Sequence, residues 1–133
     1  MRAERKLTEA EALLFVEPNF GTAAVLRPDG SPHQTVVWVD WDGERPLFNT
    51  AEGRAKLEYL RRDPRVSLLV VDRHDPWRWV SVSGTADLVE EGAEESIHRL
   101  GRRYRGWDRY PLKPGEKRVI VRIRVERVTA YRV

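Results

Sequence analysis

Cysteine is absent from the 133-residue chain. Its absence excludes disulfide bonds, metal sites built on paired cysteines and catalytic thiols. Histidine is scarce: His33, His74 and His98 stand at unrelated places, so we expect neither a metal site nor a Ser-His-Asp triad. Residues 1–10 contain no apolar segment, and no run approaches the ~18 apolar residues of a membrane span. We therefore expect a cytoplasmic protein that does not enter a membrane.

A strong excess of one charge is also missing. The chain has 24 basic and 21 acidic residues, which gives a net charge of +3. A run of arginines resembles a basic patch, but it lacks the recognised motif of a nucleic-acid reader. A solvated helix face explains it more simply. These arginines are Arg99, Arg102, Arg103, Arg105 and Arg109. A small anionic molecule is therefore a more natural partner than a nucleic acid.

Alternation of apolar residues predicts a mainly β protein. The clearest strand is the last, where Val119, Val121, Ile123 and Val125 share one face. Turn residues separate earlier strands, predicted at 22–26, 33–40, from 47, 66–71 and 77–88. The strand at 66–71 is a nearly continuous run of β-branched residues and leucine, which predicts burial on both faces. Gly84 indicates a bulge or bend within the strand at 77–88.

Short helices are predicted between these strands. Thr8 and Glu11 have the spacing of a capping box, so a helix is expected from Thr8 until Pro18. A second helix is predicted at residues 94–104. The length fits one domain over residues 1–133. Together these patterns predict a six-stranded antiparallel barrel, closed or partly closed, with short flanking helices.

The corner at residues 47–63 carries the functional signal. An apolar run enters Asn49 and Thr50, and a helix is predicted from about Gly53. Arg54 and Lys56 then fall in the first helical turn, where the helix dipole disfavours cations by roughly 0.3–1 kcal/mol each. Phosphate is a common ligand of helix N-termini. We therefore predict a phosphate-bearing ligand at Thr50, Arg54 and Lys56.

A simpler explanation of the same residues remains open. Arginine and lysine are good helix formers and are often exposed. Glu52 or Glu58 lies close enough in sequence to neutralise them at the surface. Sequence position alone does not decide between a surface ion pair and an anion site.

Several segments together resemble a known protein family. They include the turn at residues 29–32, the run 36–38, the corner 48–50 and the strand at 83–86. The most specific are GRAK at 53–56 and LRRDPR at 60–65. The chain resembles the split β-barrel flavin-binding proteins related to pyridoxamine 5'-phosphate oxidase. Within them it resembles the branch that uses the deazaflavin coenzyme F420.

The resemblance implies a homodimer with two cofactor sites at the subunit interface. It implies that Arg54 and Lys56 hold the cofactor phosphate, with Asn49 and Thr50 at the same corner. It further implies that Gln34, Thr35 and Val36 lie along the deazaflavin ring, although many relatives have proline where this chain has Val36. The remaining implied contacts come from the partner subunit, through Trp77, Arg78 and Trp79.

Three function classes follow. The first is a reductase that transfers hydride from reduced F420 to an electron-poor acceptor such as an enone, quinone or tetrapyrrole. The second is an FMN-dependent oxidoreductase of the same barrel family. The third is a binding protein without turnover. Because the cofactor carries the hydride chemistry, none of these requires a catalytic triad, and no catalytic residue is assigned.

Overall fold

Six strands form the framework of the protein and close into a barrel. A computed structural model describes residues 2–133. In chain order the elements are α1 (Glu9–Val16), β1 (Phe20–Leu26), β2 (Pro32–Trp41), β3 (Pro46–Ala51), α2 (Ala55–Arg62), β4 (Arg65–Val71), β5 (Trp79–Val89), α3 (Ala93–Arg105) and β6 (Arg118–Tyr131). All neighbouring strands are antiparallel, in the order β1-β2-β3-β6-β5-β4. The predicted mainly β, six-stranded antiparallel barrel with short helices is confirmed.

Alternating apolar side chains fill the barrel interior. On β6, Val119, Val121, Ile123 and Val125 are at most 2% exposed, as their alternation predicts. Phe48 on β3 is fully buried opposite Val121. Removing such a side chain from water contributes about 1.5–3 kcal/mol, so these residues account for much of the barrel's stability.

Helix α1 begins as its capping box predicts. The Thr8 hydroxyl accepts the Glu11 backbone N–H at 3.2 Å, and the Glu11 carboxylate accepts the Thr8 N–H at 2.8 Å. Leu14 and Phe15 are fully buried in the barrel core. Helix α3 extends the predicted 94–104 segment by one residue at each end. Over residues 2–133, no helix is both long and apolar enough to span a membrane.

Helix α2 begins two residues later than predicted. Gly53 is not helical: its φ of +91° lies in the left-handed region, where glycine is strongly favoured. Arg54 is therefore the N-cap and Lys56 the second helical residue. Leu57 and Leu60 are buried, as their spacing predicts, and the helix ends at Arg62 before Asp63 and Pro64. Both cations remain at the N-terminal end of the helix.

The prediction that β4 is buried on both faces is wrong. Its residues alternate between buried and accessible, and Leu69 is 38% exposed. The reason is the antiparallel barrel, in which each strand turns one face to the interior and one outward. The start of β5 also differs, because Trp77 lies in a turn and the strand begins at Trp79. Trp77 is 66% exposed.

The outward side of β2, β1, β4, β5 and β6 forms a continuous surface, which we call the open sheet face. Cross-strand pairing arranges its side chains in rows. One row is Val36, Thr22, Leu69, Ser81 and Thr129. The row on one side contains Trp38, Phe20, Val71, Trp79 and Tyr131, and the row on the other contains Gln34, Ala24, Ser67, Ser83 and Arg127. Arg127 is the one charged residue of these rows.

Gly84 forms the predicted bulge. The register of β5 against β6 shifts between Ser83 and Gly84, so that Glu126 is an extra residue on β6. A Cβ atom at Gly84 would overlap the carbonyl oxygen of Arg124. Beyond the bulge the alternation of β6 changes phase, and Val128 packs against the core. Glycine is therefore required where the two backbones approach.

We predict that Gly84→Ala destabilises the protein by about 1–3 kcal/mol, because the methyl group forces the strands apart. Urea unfolding measures this change in the free energy of unfolding. Ser83→Ala, at the neighbouring residue, is the matched control and should change stability by no more than about 0.5 kcal/mol. Equal stability of the two variants would show that the strands separate at no cost.

Candidate functional site

A cavity of about 170 Å³ lies where β2, β3, β6, α2 and α3 meet. It opens beside the N-terminal end of α2. Its lining residues are Val36, Val37, Trp38, Asn49, Arg54, Lys56, Ile97, Leu100, Tyr110 and Arg118. Three of these residues are basic, Asn49 is polar and uncharged, and the other six are apolar or aromatic. The cavity therefore offers both a charged and an apolar surface to a ligand.

Lys56 is the most unusual residue of the cavity. It is only 9% exposed, yet within residues 2–133 its ammonium has no hydrogen bond or ion pair. Burial lowers its pKa, and the nearby charges of Arg54 and Arg118 lower it further. A buried charge without a partner is costly, and lysines are almost never buried unless paired. Lys56 is thus held in a position that an anion would stabilise.

Arg118 is fixed beside Lys56 by three neighbours. Its Nε donates to Asn49 Oδ1 at 2.9 Å, and Nη1 donates to Glu116 at 2.7 Å. Its guanidinium carbon lies 5.0 Å from the centroid of the Tyr110 ring. Asn49 is itself fixed, because its Nδ2 donates to the carbonyl of Ala93 at 2.9 Å. The guanidinium is therefore held in place before any ligand binds.

The cavity has an excess of positive charge. Arg54, Lys56 and Arg118 line it, and Glu116 neutralises one of them. Within residues 2–133, no carboxylate forms an ion pair with Arg54 or Lys56. The remaining two positive charges match a phosphate monoester, which carries about −1.5 to −2 at pH 7. The site is therefore suited to a phosphate group.

Aromatic side chains form the other part of the cavity wall. Trp38 stacks on Tyr104 with ring centroids 5.3 Å apart and an interplanar angle of 9°. Tyr110 meets Trp38 edge to face at 6.3 Å. Burial raises the pKa of Tyr104 to about 12, and its hydroxyl donates to the carbonyl of Asn19 at 2.6 Å. Tyr104 is therefore a neutral structural support for Trp38.

The structure brings together four of the predicted site residues: Val36, Asn49, Arg54 and Lys56. Gln34 is exposed on the same outward face of β2 as Val36. Thr35 and Thr50 do not line this cavity, because they alternate onto the interior side of their strands. Their hydroxyls are buried and find no hydrogen-bond partner within the described residues. A ligand contact through either side chain stays a prediction that this geometry does not support.

The three residues predicted to act from a partner subunit lie apart from the cavity. Trp79 is on the open sheet face, where its ring stacks with Tyr131 at 6.3 Å. Arg78 forms ion pairs with Asp72 at 2.7 Å and Glu17 at 3.3 Å. Trp77 is exposed in the preceding turn. Their contribution to a partner's site stays a prediction.

Sequence and structure comparisons place this cavity in context. A family profile described as pyridoxamine 5'-phosphate oxidase matches residues 7–132. The chain belongs to this family. The resemblance inferred from the motifs is confirmed, and the family is one of flavin- and deazaflavin-binding oxidoreductases.

Individual relatives of the pyridoxamine 5'-phosphate oxidase family agree with this assignment. An F420 reductase structure is 29% identical, with a TM-score of 0.78 over 92% of this chain and 98% of that chain. A conserved hypothetical protein of Mycobacterium tuberculosis is 33% identical, with a TM-score of 0.69 over 98% of this chain and 88% of that chain. A pyridoxine/pyridoxamine 5'-phosphate oxidase of Edwardsiella ictaluri is 34% identical over 88 residues. That match covers 62% of this chain and 38% of the relative, so the chain spans well under half of its length.

The arginines of α3 and of the following loop have partners within the chain. Asp40 accepts ion pairs from Arg103 at 2.7 Å and Arg99 at 3.2 Å. The other contacts are Arg102 with Glu95, Arg105 with the Trp107 ring and Arg109 with His98. These contacts neutralise or cover much of the basic surface, which agrees with a solvated helix face.

Sequence reasoning missed Arg118 and Tyr110 as site residues in this member of the pyridoxamine 5'-phosphate oxidase family. Arg118 begins β6 and shares its outward face with Ile120, which was a usable signal. Pairing with β3 then brings it next to Asn49, 69 residues away in sequence. Tyr110 lies in an irregular loop, where periodicity gives no information.

We predict that Lys56→Met stabilises the ligand-free protein by about 0.5–2 kcal/mol, because it removes an uncompensated buried charge. Since the pKa of Lys56 is lowered in the fold, its destabilising effect is greatest at low pH. The advantage of the variant should shrink as pH rises toward the ordinary lysine pKa of 10.5.

Urea unfolding at several pH values tests this prediction. Lys113→Met, at an exposed lysine, is the control and should change stability by less than about 0.5 kcal/mol. A Lys56→Met protein less stable than wild type would mean that the ammonium is compensated in the ligand-free state.

Proposed function

We propose that this protein is an oxidoreductase that uses reduced coenzyme F420 to reduce an electron-poor organic molecule, such as an enone, a quinone or a tetrapyrrole. The observation that carries the proposal is the buried, unpartnered Lys56 beside Arg54 and Arg118 in one cavity. The similarity to an F420 reductase over nearly the whole of both chains supports it. When bound, the reduced deazaflavin would donate a hydride, and it is poorly suited to one-electron transfer.

The basic residues would hold the phosphate of the cofactor. Lys56 supplies a point charge from inside the cavity, and Arg118 supplies a guanidinium already fixed by Asn49 and Glu116. Arg54 is exposed at the N-cap of α2, so it can approach the same phosphate from the solvent side. A bound phosphate would offset the mutual repulsion of these residues, of which only Arg118 has a carboxylate partner.

The apolar part of the site would receive the ring system. Val36 is 68% exposed on the outward face of β2, and Gln34 lies two residues along the same face. A flat apolar surface next to a phosphate site suits a planar cofactor with a phosphate-bearing side chain. The chain itself needs to orient that cofactor and limit access of water.

FMN is the second candidate. The chain belongs to the pyridoxamine 5'-phosphate oxidase family, and it is 34% identical over 88 residues to a member with that name. The two cofactors share a flat ring and a phosphate, so the same basic residues would serve either one. A protein that binds one of them without turnover is the third possibility.

We also propose that two copies pack through the open sheet face. This face contains exposed apolar residues, among them Val36, Leu69, Phe20 and Tyr131. Contiguous apolar surface of this kind is typical of interaction sites. Val36 and Trp38 belong both to this face and to the cavity, so a second copy would border the cofactor site. Trp77 and Trp79 of that copy would then be available to it.

We predict that Arg54→Ala, Lys56→Ala and Arg118→Ala each weaken F420 binding by roughly 10- to 100-fold. Loss of one charge-assisted phosphate contact costs about 1.5–3 kcal/mol. Equilibrium titration with F420 and with FMN measures the affinities. Arg62→Ala, in the last turn of the same helix, is the matched control and should retain wild-type affinity.

Wild-type protein should bind F420 more tightly than FMN. Equal or tighter binding of FMN would move the assignment to the second candidate. Unchanged F420 affinity in all three cavity variants would contradict the phosphate site itself. Hydride transfer is tested separately, by following loss of reduced F420 in the presence of quinones and enones.

We predict that wild-type protein sediments as a dimer and that Leu69→Arg shifts it toward monomer. A charge in the centre of the open sheet face would be buried without a partner in the dimer. Analytical ultracentrifugation measures the change. Leu13→Arg, at a leucine of α1 that is 47% exposed, is the control and should remain dimeric. A monomeric wild type would exclude this assembly.

A further inference from the structure

His98 is a buried histidine placed behind the wall of the cavity. It lies on α3 and is 2% exposed. Its Nδ1 accepts the backbone N–H of Tyr110 at 2.9 Å, and the Arg109 guanidinium lies 3.0 Å from Nε2. A buried polar ring of this kind is costly unless it is hydrogen-bonded. Its contacts are therefore a specific part of the structure.

Both neighbours of the His98 ring are hydrogen-bond donors. A neutral imidazole has one acceptor nitrogen, and the Tyr110 N–H requires that nitrogen to be Nδ1. A protonated ring would lose this acceptor and bring a second charge next to Arg109. With Nδ1 as the acceptor toward Tyr110, Nε2 carries the ring proton, so the Arg109 guanidinium at 3.0 Å is a close polar neighbour and not a hydrogen-bond donor to the ring.

Tyr110 connects His98 to the cavity. Its ring lines the cavity and lies under the Arg118 guanidinium, 5.0 Å from centroid to Cζ. Tyr110 belongs to an irregular loop between α3 and β6, which has no ladder of its own to hold it. The hydrogen bond that the Tyr110 backbone N–H donates to His98 Nδ1 fixes the loop at this ring against the helix.

We propose that His98 is a positioning residue of the anion site: through the Tyr110 backbone it sets the ring on which the Arg118 guanidinium lies. This inference rests on the proposed role of the cavity in binding a phosphate-bearing cofactor. It adds a residue that touches no ligand and yet controls affinity. It depends on an acceptor at the Nδ1 position and on no proton transfer.

The test compares His98→Leu with His98→Asn. Leucine has a similar size but no acceptor, whereas the asparagine carboxamide oxygen can replace Nδ1. Titration with F420 and FMN should show affinity reduced about tenfold in His98→Leu, the size expected for one lost buried hydrogen bond. His98→Asn should restore affinity to within about threefold of wild type. Circular dichroism confirms that each variant is folded before it is titrated.

A double-mutant cycle with Tyr110→Ala keeps the test decisive if His98→Leu lowers stability. Because His98 is inferred to act through Tyr110, the two losses of affinity should not add. Full additivity would overturn the inference, and so would wild-type affinity in His98→Leu. A wild-type protein that binds neither F420 nor FMN would overturn the proposed function and this inference together. Weakened binding in His98→Leu and in Tyr110→Ala, with near-wild-type binding in His98→Asn, would support the inference while wild-type binding of F420 shows that the phosphate site itself is intact.

Discussion

The organisation of this site depends on one electrostatic constraint, a lysine ammonium placed in a cavity without a carboxylate beside it. Burial of Lys56 has a cost that the ligand-free fold does not offset. The left-handed turn at Gly53 delays the helix, so that Arg54 caps it and Lys56 enters the cavity. Residues at functional positions often lower the stability of a protein, and here the lowered stability accompanies a preformed site for an anion.

Strong local patterns made much of the fold predictable. The alternation of β6, the capping box at Thr8 and the bulge at Gly84 each involve interactions within a few residues or an unusual residue type. The burial of β4 was misjudged because the outward residues of a strand can be apolar even where that face of the sheet is exposed. The helix start was misplaced because the conformation of Gly53 cannot be read from periodicity.

The candidate site was predictable only in part, for a geometric reason. Arg54 and Lys56 could be identified because the helix dipole acts locally. For Arg118 the alternation of β6 indicates only an outward position, because its place beside Asn49 depends on a strand pairing between distant parts of the chain. Thr50 shows how alternation limits such reasoning: one step along the strand from Asn49 places its side chain on the other face. Residues that converge from several elements are accessible to sequence reasoning only after the strand pairing is known.

The bulge at Gly84 also determines which residues are seen from outside near the end of β6. Before it, the odd-numbered valines and isoleucine face inward; after it, Val128 does, and Arg127 and Thr129 face outward. Unbroken alternation would bury Arg127 among valines. One unpaired residue thus reverses which side chains of β6 face the interior from that point to the end of the strand. When distant relatives are aligned along this strand, a gap misplaced by a single position would exchange interior for surface and assign the wrong residues to the open sheet face.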